Sequence, residues 1–281
     1  MAGVKTSDKS LPNSKILTID SDRLNYRDLN LKVREFLAGT ECISQIPIIE
    51  LKNILGQRYI GDGIRAKVKI EIYGTPGNDL AAFMDGPEIE IFGNCQDGVG
   101  NTMNSGEIII HGDCGDIVGY SMRGGHIYIK GNVGYRSGIH MKSYLEKVPA
   151  IIIGGKAGNF LGEYMAGGII IVLGINETGI NESTNKNNQI NGSKSIVGDY
   201  VGTGMHGGTI YIRGEVEDYK LGREVNESSI DIADREILKK YIFKFCEYFK
   251  FSNSEISNVD LKEFIKLTPH SHRPYGKLYA Y

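Results

Sequence analysis

The chain has no tryptophan, and only seven of its 281 residues are proline. Long apolar runs are missing as well. The longest lies near Ile169 to Ile175, far short of the ~20 residues that span a bilayer, so a membrane helix is excluded. The opening MAGVKTSDKSLPNSK is polar and holds no apolar signal core, which makes a cytoplasmic protein the expectation. Charge of one sign is lacking too: 32 Lys and Arg face 34 Asp and Glu, for a net −2. No basic block interleaves with aromatics, which disfavours nucleic acid as a partner. Cysteine is sparse. Cys42, Cys95, Cys114 and Cys246 form no CxxC pair, so metal-ribbon spacing is absent. There is no phosphate loop of the GxxxxGK[ST] kind, no serine elbow and no carboxylate pair at recognisable catalytic spacing.

What the chain does have is glycine, 37 residues of it, in a sentence of nineteen letters written seven times. The cleanest copy is Glu107 to Gly125, EIIIHGDCGDIVGYSMRGG. An x-Ile-x-aliphatic-x-Gly block ends at Gly74, Gly93, Gly112, Gly131, Gly155, Gly174 and Gly214. Its first apolar position is isoleucine every time: Ile70, Ile89, Ile108, Ile127, Ile151, Ile170 and Ile210. Each methionine after Met1 occupies one repeat position: Met84, Met103, Met122, Met141, Met165 and Met205. Alternating β-branched residues read as a short strand, and the glycine allows a turn. Nineteen residues cannot hold a strand, a long helix and a return, but they make one coil of a solenoid. Coils stacked at ~4.8 Å place equivalent residues in ladders, with isoleucine filling the interior. Cys95 and Cys114, nineteen apart, then neighbour each other as small ladder residues or as a disulfide or metal pair; spacing alone does not choose.

The flanks read differently. Residues 1–15 read as disordered and Ile16–Asp20 as a short strand. Asp22–Ala38 reads as a helix, and Ser44 and Pro47 suggest a second helix through Leu55. The two helices would cap the open end of the solenoid. The repeat spacing widens to twenty-four through Lys142–Lys147 and to forty through the Asn-rich stretch 176–195, which reads as an exposed loop. Asp234–Phe249 reads as an amphipathic helix and Val259–Ile265 as a short one. The closing LTPHSHRPYGKLYAY is too apolar for a free tail and is expected to pack on the body or on a partner. The division is therefore 1–66 tail and capping helices, 67–216 β-helix, and 217–281 helices and tail.

Few residues invite chemistry. Gly202-Thr-Gly204-Met-His-Gly207 matches GxGxxG in letters, but it precedes a strand and is one copy of the repeat, whereas a dinucleotide site follows a strand and opens a helix. His126, His140 and His206 lack neighbouring carboxylates or histidines in sequence, and His270-Ser-His272 lies beside two prolines. Arg136, His140 and Lys142 cluster in GYRSGIHMK. With His206 and Arg273 they are the candidates for contact with a partner or an anion. A β-helix enzyme acting on carbohydrate would need carboxylates and cations laddered along an exposed groove. Thr75, Asn94, Asp113, Asn132 and Lys156, which follow the repeat glycine, read instead as turn chemistry.

The segments GNTMNSGEIIIHGDCGD, GYRSGIHMK, FLGEYMAGG and YVGTGMHGGTIYIRG resemble the GXGXG domain, the β-helical carboxy-terminal domain of the glutamate synthase large subunit. The closing HRPYG is similar to the tail of stand-alone versions from split glutamate synthases. One of the subunits of formylmethanofuran dehydrogenase and subunits of methylglutamate synthase-like enzymes are related. The resemblance implies a right-handed parallel β-helix of about seven coils flanked by helices, with a structural role and no catalytic residues. FMN, the iron–sulfur cluster and the amidotransferase cysteine would lie in partner subunits. The expected partners are the amidotransferase and FMN-synthase modules of a glutamate synthase; further copies of this chain, or a formylmethanofuran dehydrogenase-type complex, are the alternatives.

Overall fold

The structure is a computed structural model that describes residues 16–40, 45–175, 195–252 and 259–270. The repeat blocks become seven strands: β3 (Lys69–Thr75), β4 (Asp85–Phe92), β5 (Ser105–Ile110), β6 (His126–Ile129), β7 (Ala150–Ile153), β8 (Ala166–Val172) and β9 (Gly207–Arg213). Each pairs parallel with the next in the register read from the sequence, Ile70 on Ile89 on Ile108 and so on to Ile210. Seven strands enclose six complete turns from first to last, so the architecture is the expected all-β solenoid. The two isoleucine ladders and the methionine ladder are fully buried in one continuous core. Each such side chain contributes about 1.5–3 kcal/mol through burial.

Asx side chains bind the coils to one another. Asn94 Oδ1 accepts from the Asp113 amide, Asp113 Oδ1 from the Asn132 amide, and Asn132 Oδ1 from the Lys156 amide. A second such ladder runs from Asp97 to Asp116 to Tyr135. The turn reading of these residues holds, and it explains the repeat glycines beside them: a Cβ on Gly131 would lie 2.3 Å from Asp113 Oδ1. Cys95 and Cys114 are buried free thiols in a ladder of small residues that continues through Val133, Ala157 and Val197.

At the amino-terminal end, β1 (Ile16–Asp20) forms where the sequence reading placed it and pairs parallel with β2 (Ile48–Leu55). Helix α1 (Tyr26–Ala38) lies between them. Its N-cap Asn25 accepts from the amides of Arg27 and Asp28, and Leu29 and Val33 enter the core as a cap. The expected second helix is absent: residues 48–55 are strand. Pairing decided against the helix, since Ile49 and Leu51 face inward opposite Ile70 and Ile72 and join β3 to β1. The sheet therefore runs on beyond the 67–216 span at both ends.

The carboxy-terminal end is closed by strands. After a single 3-10 turn, Leu261–Glu263, the expected short helix gives way to β11 (Phe264–Pro269), which runs antiparallel against β9. The exposed edge of β9 takes up these backbone groups, and β10 (Val225–Ser229) pairs outside β11. The expectation that the last stretch packs on the body holds through Pro269; residues 271–281 lie outside those described, as do 1–15 and 176–194. Helix α2 (Ile232–Phe249) begins on a capping box between Asp231 and Asp234. It lies along the outer face of the sheet over β5 to β9, through Leu238, Tyr241, Ile242, Phe245 and Phe249. No described helix is long and apolar enough to cross a membrane.

Candidate interaction face

The turn before each repeat methionine has an unusual backbone. Three alternate residues take positive φ in coil after coil: Ile117, Gly119 and Ser121; Arg136, Gly138 and His140; Phe160, Gly162 and Tyr164; Tyr200, Gly202 and Gly204. The middle one is always small because it abuts the interior. A Cβ on Gly138 would lie 2.5 Å from the Ile170 methyl. Apart from Gly204, the outer two are partly or fully exposed, and glycine would be the relaxed choice there. Large residues at positive φ carry strain of order 1 kcal/mol or more each. Such strain persists where the side chain has a use, and here it puts arginine, histidine and aromatic rings on one surface.

Those rings form two short stacks. Arg136 lies over the Phe160 ring at 5.0 Å, and Phe160 stacks on Tyr200 at 4.9 Å with 13° between planes. His140 stacks on Tyr164 at 5.4 Å and meets Tyr120 edge-on at 5.9 Å. Glu163 links the two stacks, its Oε2 accepting from Arg136 Nε at 2.9 Å and its backbone carbonyl from the His140 amide at 3.0 Å. The guanidinium is thereby fixed in direction while half its surface stays open. Beneath it Ser137 replaces the valine or leucine of neighbouring coils, and its buried hydroxyl has no hydrogen-bond partner.

Of the sequence candidates, Arg136 and His140 are brought together on this face. Lys142 and His206 occupy one ladder position two coils apart, at the corner just after the methionine; the amides of Ala166 and His206 donate to the carbonyls of Met141 and Met165. Lys142 is exposed, and His206 Nδ1 sits 3.2 Å from its own turn's Gly204 carbonyl. Arg273 lies outside the described residues. Sequence reading missed Tyr120, Phe160, Glu163, Tyr164 and Tyr200. The signal was available: Phe160 and Tyr164 stand twenty-four residues beyond Arg136 and His140, the spacing of that insertion, and Tyr200 forty beyond Phe160.

Rigid aromatic faces with an oriented arginine are the composition of a protein-binding surface. The GxGxxG letters fall in the turn and corner before β9, which dismisses a dinucleotide site. Among the described residues no three His, Cys, Asp or Glu stand close enough to hold a metal ion. Among the described residues, Cys95 and Cys114 line the interior and Cys246 sits on the buried face of α2. Burial pushes the Cys95 thiol up, which suits a packing role. A cleft of about 540 Å³ opens between α1 and the first corner, lined by Arg34, Arg65, Lys67 and Ile64, and contains none of the sequence candidates.

Carboxylates do ladder on the outer sheet face: Glu50, Glu71 and Glu90 stand opposite one another, with Lys69 among them. They lie on the sheet surface and do not line that cleft. For Glu90, burial acts to raise the carboxyl, but the bonds from His111 and Lys69 outweigh it and leave it below the usual range. A glycoside hydrolase needs one carboxyl held protonated, and the shift at Glu90 runs the other way.

Three comparisons bear on this geometry. The family model for the GXGXG motif matches residues 48–270. A protein of Methanocaldococcus jannaschii named only as uncharacterized is 49% identical over 265 residues, covering 94% of this chain and 96% of the relative. Among solved structures, a chain from the formyltransferase/hydrolase complex of Methylorubrum extorquens, crystallised with methylofuran, superposes with a TM-score of 0.55. The match covers 84% of this chain and 86% of that one, at 20% identity.

Proposed function

This chain belongs to the GXGXG motif family, and from that membership we propose that it is a non-catalytic scaffold subunit of a multi-subunit oxidoreductase of the glutamate synthase type. Its role is to hold an amidotransferase module and an FMN-synthase module in fixed relation in the cytoplasm, with FMN and the iron–sulfur cluster carried by those partners. The observation that supports this reading most is the strained aromatic and arginine face around Arg136, Phe160, Tyr164 and Tyr200. It rides on a ladder-packed solenoid whose coils cannot move independently, which suits the spacing of two other bodies.

The test is co-expression of the full chain, tagged, with amidotransferase and FMN-synthase subunits from the same genome. Co-elution of both, with flavin absorbance in the peak, is the expected result. Arg136→Ala with Tyr200→Ala is expected to weaken that co-elution about tenfold or more, since truncated hot-spot residues at interfaces cost that much. A chain that elutes alone, or a complex indifferent to the double variant, would overturn the reading. A second reading, favoured by the Methylorubrum fold match, makes the chain a subunit of a formyltransferase-type or formylmethanofuran dehydrogenase-type complex. Co-elution with subunits of that type, co-expressed with the tagged chain in the same way, would decide for it.

A further inference from the structure

Among the described residues the outer face of the sheet is only half covered. Over β5 to β9 the outward position holds Ile109, Tyr128, Ile152, Ile171 and Tyr211, all buried under α2. Over β2 to β4 the same position holds Glu50, Glu71 and Glu90, paired directly in register. Like charges opposite one another destabilise a sheet, so three glutamates in one ladder run against local stability. Two lysines relieve them in part. Lys69 Nζ lies 3.1 Å from Glu71 and 3.2 Å from Glu90, and Lys52 Nζ lies 3.3 Å from Glu50. Glu88, 3.8 Å from Lys69 Nζ, and Glu107, 3.3 Å from His126 Nδ1, add to the same surface, where the carboxylates outnumber the lysines; α2 brings its carbonyl end, the negative pole of its dipole, to the boundary.

An aromatic stripe crosses that boundary. Phe249, in the last turn of α2, meets His111 edge-on at 5.2 Å. His111 stacks on Phe92 at 4.9 Å, and Phe92 on Tyr73 at 4.8 Å. Under the helix the stripe is core; beyond it Tyr73 and Phe92 are each 38% exposed. The packing that seats α2 thus continues onto open sheet, where the flanking groups become acidic. Four strands at ~4.8 Å leave room for three turns of helix at ~1.5 Å per residue. The glutamates are too dispersed to collect a metal ion among the described residues, so the charge asks for an extended cationic partner.

We propose that the β1–β4 half of this sheet face is a docking site for a cationic amphipathic helix of a partner protein, lying in line with α2. Its apolar side seats on Tyr73 and Phe92, and its lysines or arginines reach Glu50, Glu71 and Glu88. The site is on a different surface from the Arg136 face and does not depend on which complex the chain joins.

The test titrates the full chain with a short amidated Leu/Lys peptide of helical amphipathic pattern, and with a scrambled peptide of the same composition, at low and high salt. The patterned peptide is expected to bind, to weaken with salt, and to protect β2 to β4 amides from hydrogen exchange. Tyr73→Ala with Phe92→Ala, and separately Glu71→Gln with Glu88→Gln, should each lower affinity about tenfold. Melting temperatures of both variants check that the fold is kept, and Glu50→Gln supplies a second, half-buried probe. Absence of binding, equal binding of the scrambled peptide, or indifference to the aromatic variant would overturn the proposal. Tighter binding after removal of residues 1–15 would assign the face to the chain's own amino terminus, and a dimer lost in Tyr73→Ala with Phe92→Ala would assign it to a second copy; either also overturns it.

Discussion

The two halves of the outer sheet face share one backbone ladder and one interior, yet they have opposite characters. From Ile109 to Tyr211 the outward position is apolar and lies beneath α2; from Glu50 to Glu90 it is acidic and open. The inward isoleucines do not change across this line. Fold and surface are therefore encoded separately: the inward residue of each strand holds the solenoid together, and the outward residue decides what covers it. A repeat protein can carry different contacts along its length with no cost to its core, because neighbouring coils ask only that the inward set match.

Equal truncations on the two halves give the largest contrast. Phe245→Ala, on the inner face of α2 and fully buried, is expected to cost about 3–5 kcal/mol in urea unfolding. Phe92→Ala, on the open half, should stay within about 1 kcal/mol. Similar costs for the two would mean that the halves are not distinct in packing.

Exchanging the outward residue sharpens the same contrast. Ile109 sits in the register position next to Glu90. Ile109→Glu buries an unpaired carboxylate under the helix and is expected to lose about 3 kcal/mol, with exposure of α2 visible by hydrogen exchange. The reverse change, Glu90→Ile, loses the bonds from His111 and Lys69 but no packing, so it should cost about 1 kcal/mol or less and raise self-association, read by sedimentation.

The smallest effect is on pH. At the boundary, Glu107 is held below the ordinary carboxylate value of 4.5 by its bond with His126, against burial, and the Tyr248 hydroxyl also donates to it. A carboxyl whose folded value is depressed stabilises the protein above its unfolded value, and that stability is lost as pH falls through the folded one. Stability should therefore begin to drop as pH falls below the mid-fours. Glu107→Gln should flatten that drop, and Glu90→Gln should do so on the open half, measured as urea midpoint against pH. An acid limb unchanged in both variants would show that neither carboxylate contributes to it.

Much of this was legible in advance for a plain reason. A nineteen-residue period makes every coil an independent witness to the same register, so the isoleucine and methionine ladders could be placed without coordinates. The Asx turns and the helices at Asp22–Ala38 and Asp234–Phe249 were legible too, within a few residues at their starts. The errors fell where the repeat does not speak. Residues 48–55 follow Pro47 and end before Gly56, a helical punctuation, yet they form β2 because β1 and β3 flank them. Residues 264–269 carry no repeat pattern and became β11 only because β9 offers an open edge. The aromatic and arginine face was legible only in part: Arg136 and His140 stand in one turn, but Phe160, Tyr164 and Tyr200 lie one and two coils away, across insertions that hide the period.

The sequence alone determined the solenoid, its register and its interior, because stacking identical coils leaves one arrangement that buries the isoleucines. Where α2 lies was a tertiary decision. An amphipathic stripe states that a helix will bury one face and not which surface will receive it. The receiving surface exists only when Ile109, Tyr128, Ile152, Ile171 and Tyr211, drawn from five separate coils, stand in one row. The same assembly created the Arg136 face and left the acidic half of the sheet open. No single copy of the repeat contains either surface, since each is made of residues that meet only across coils.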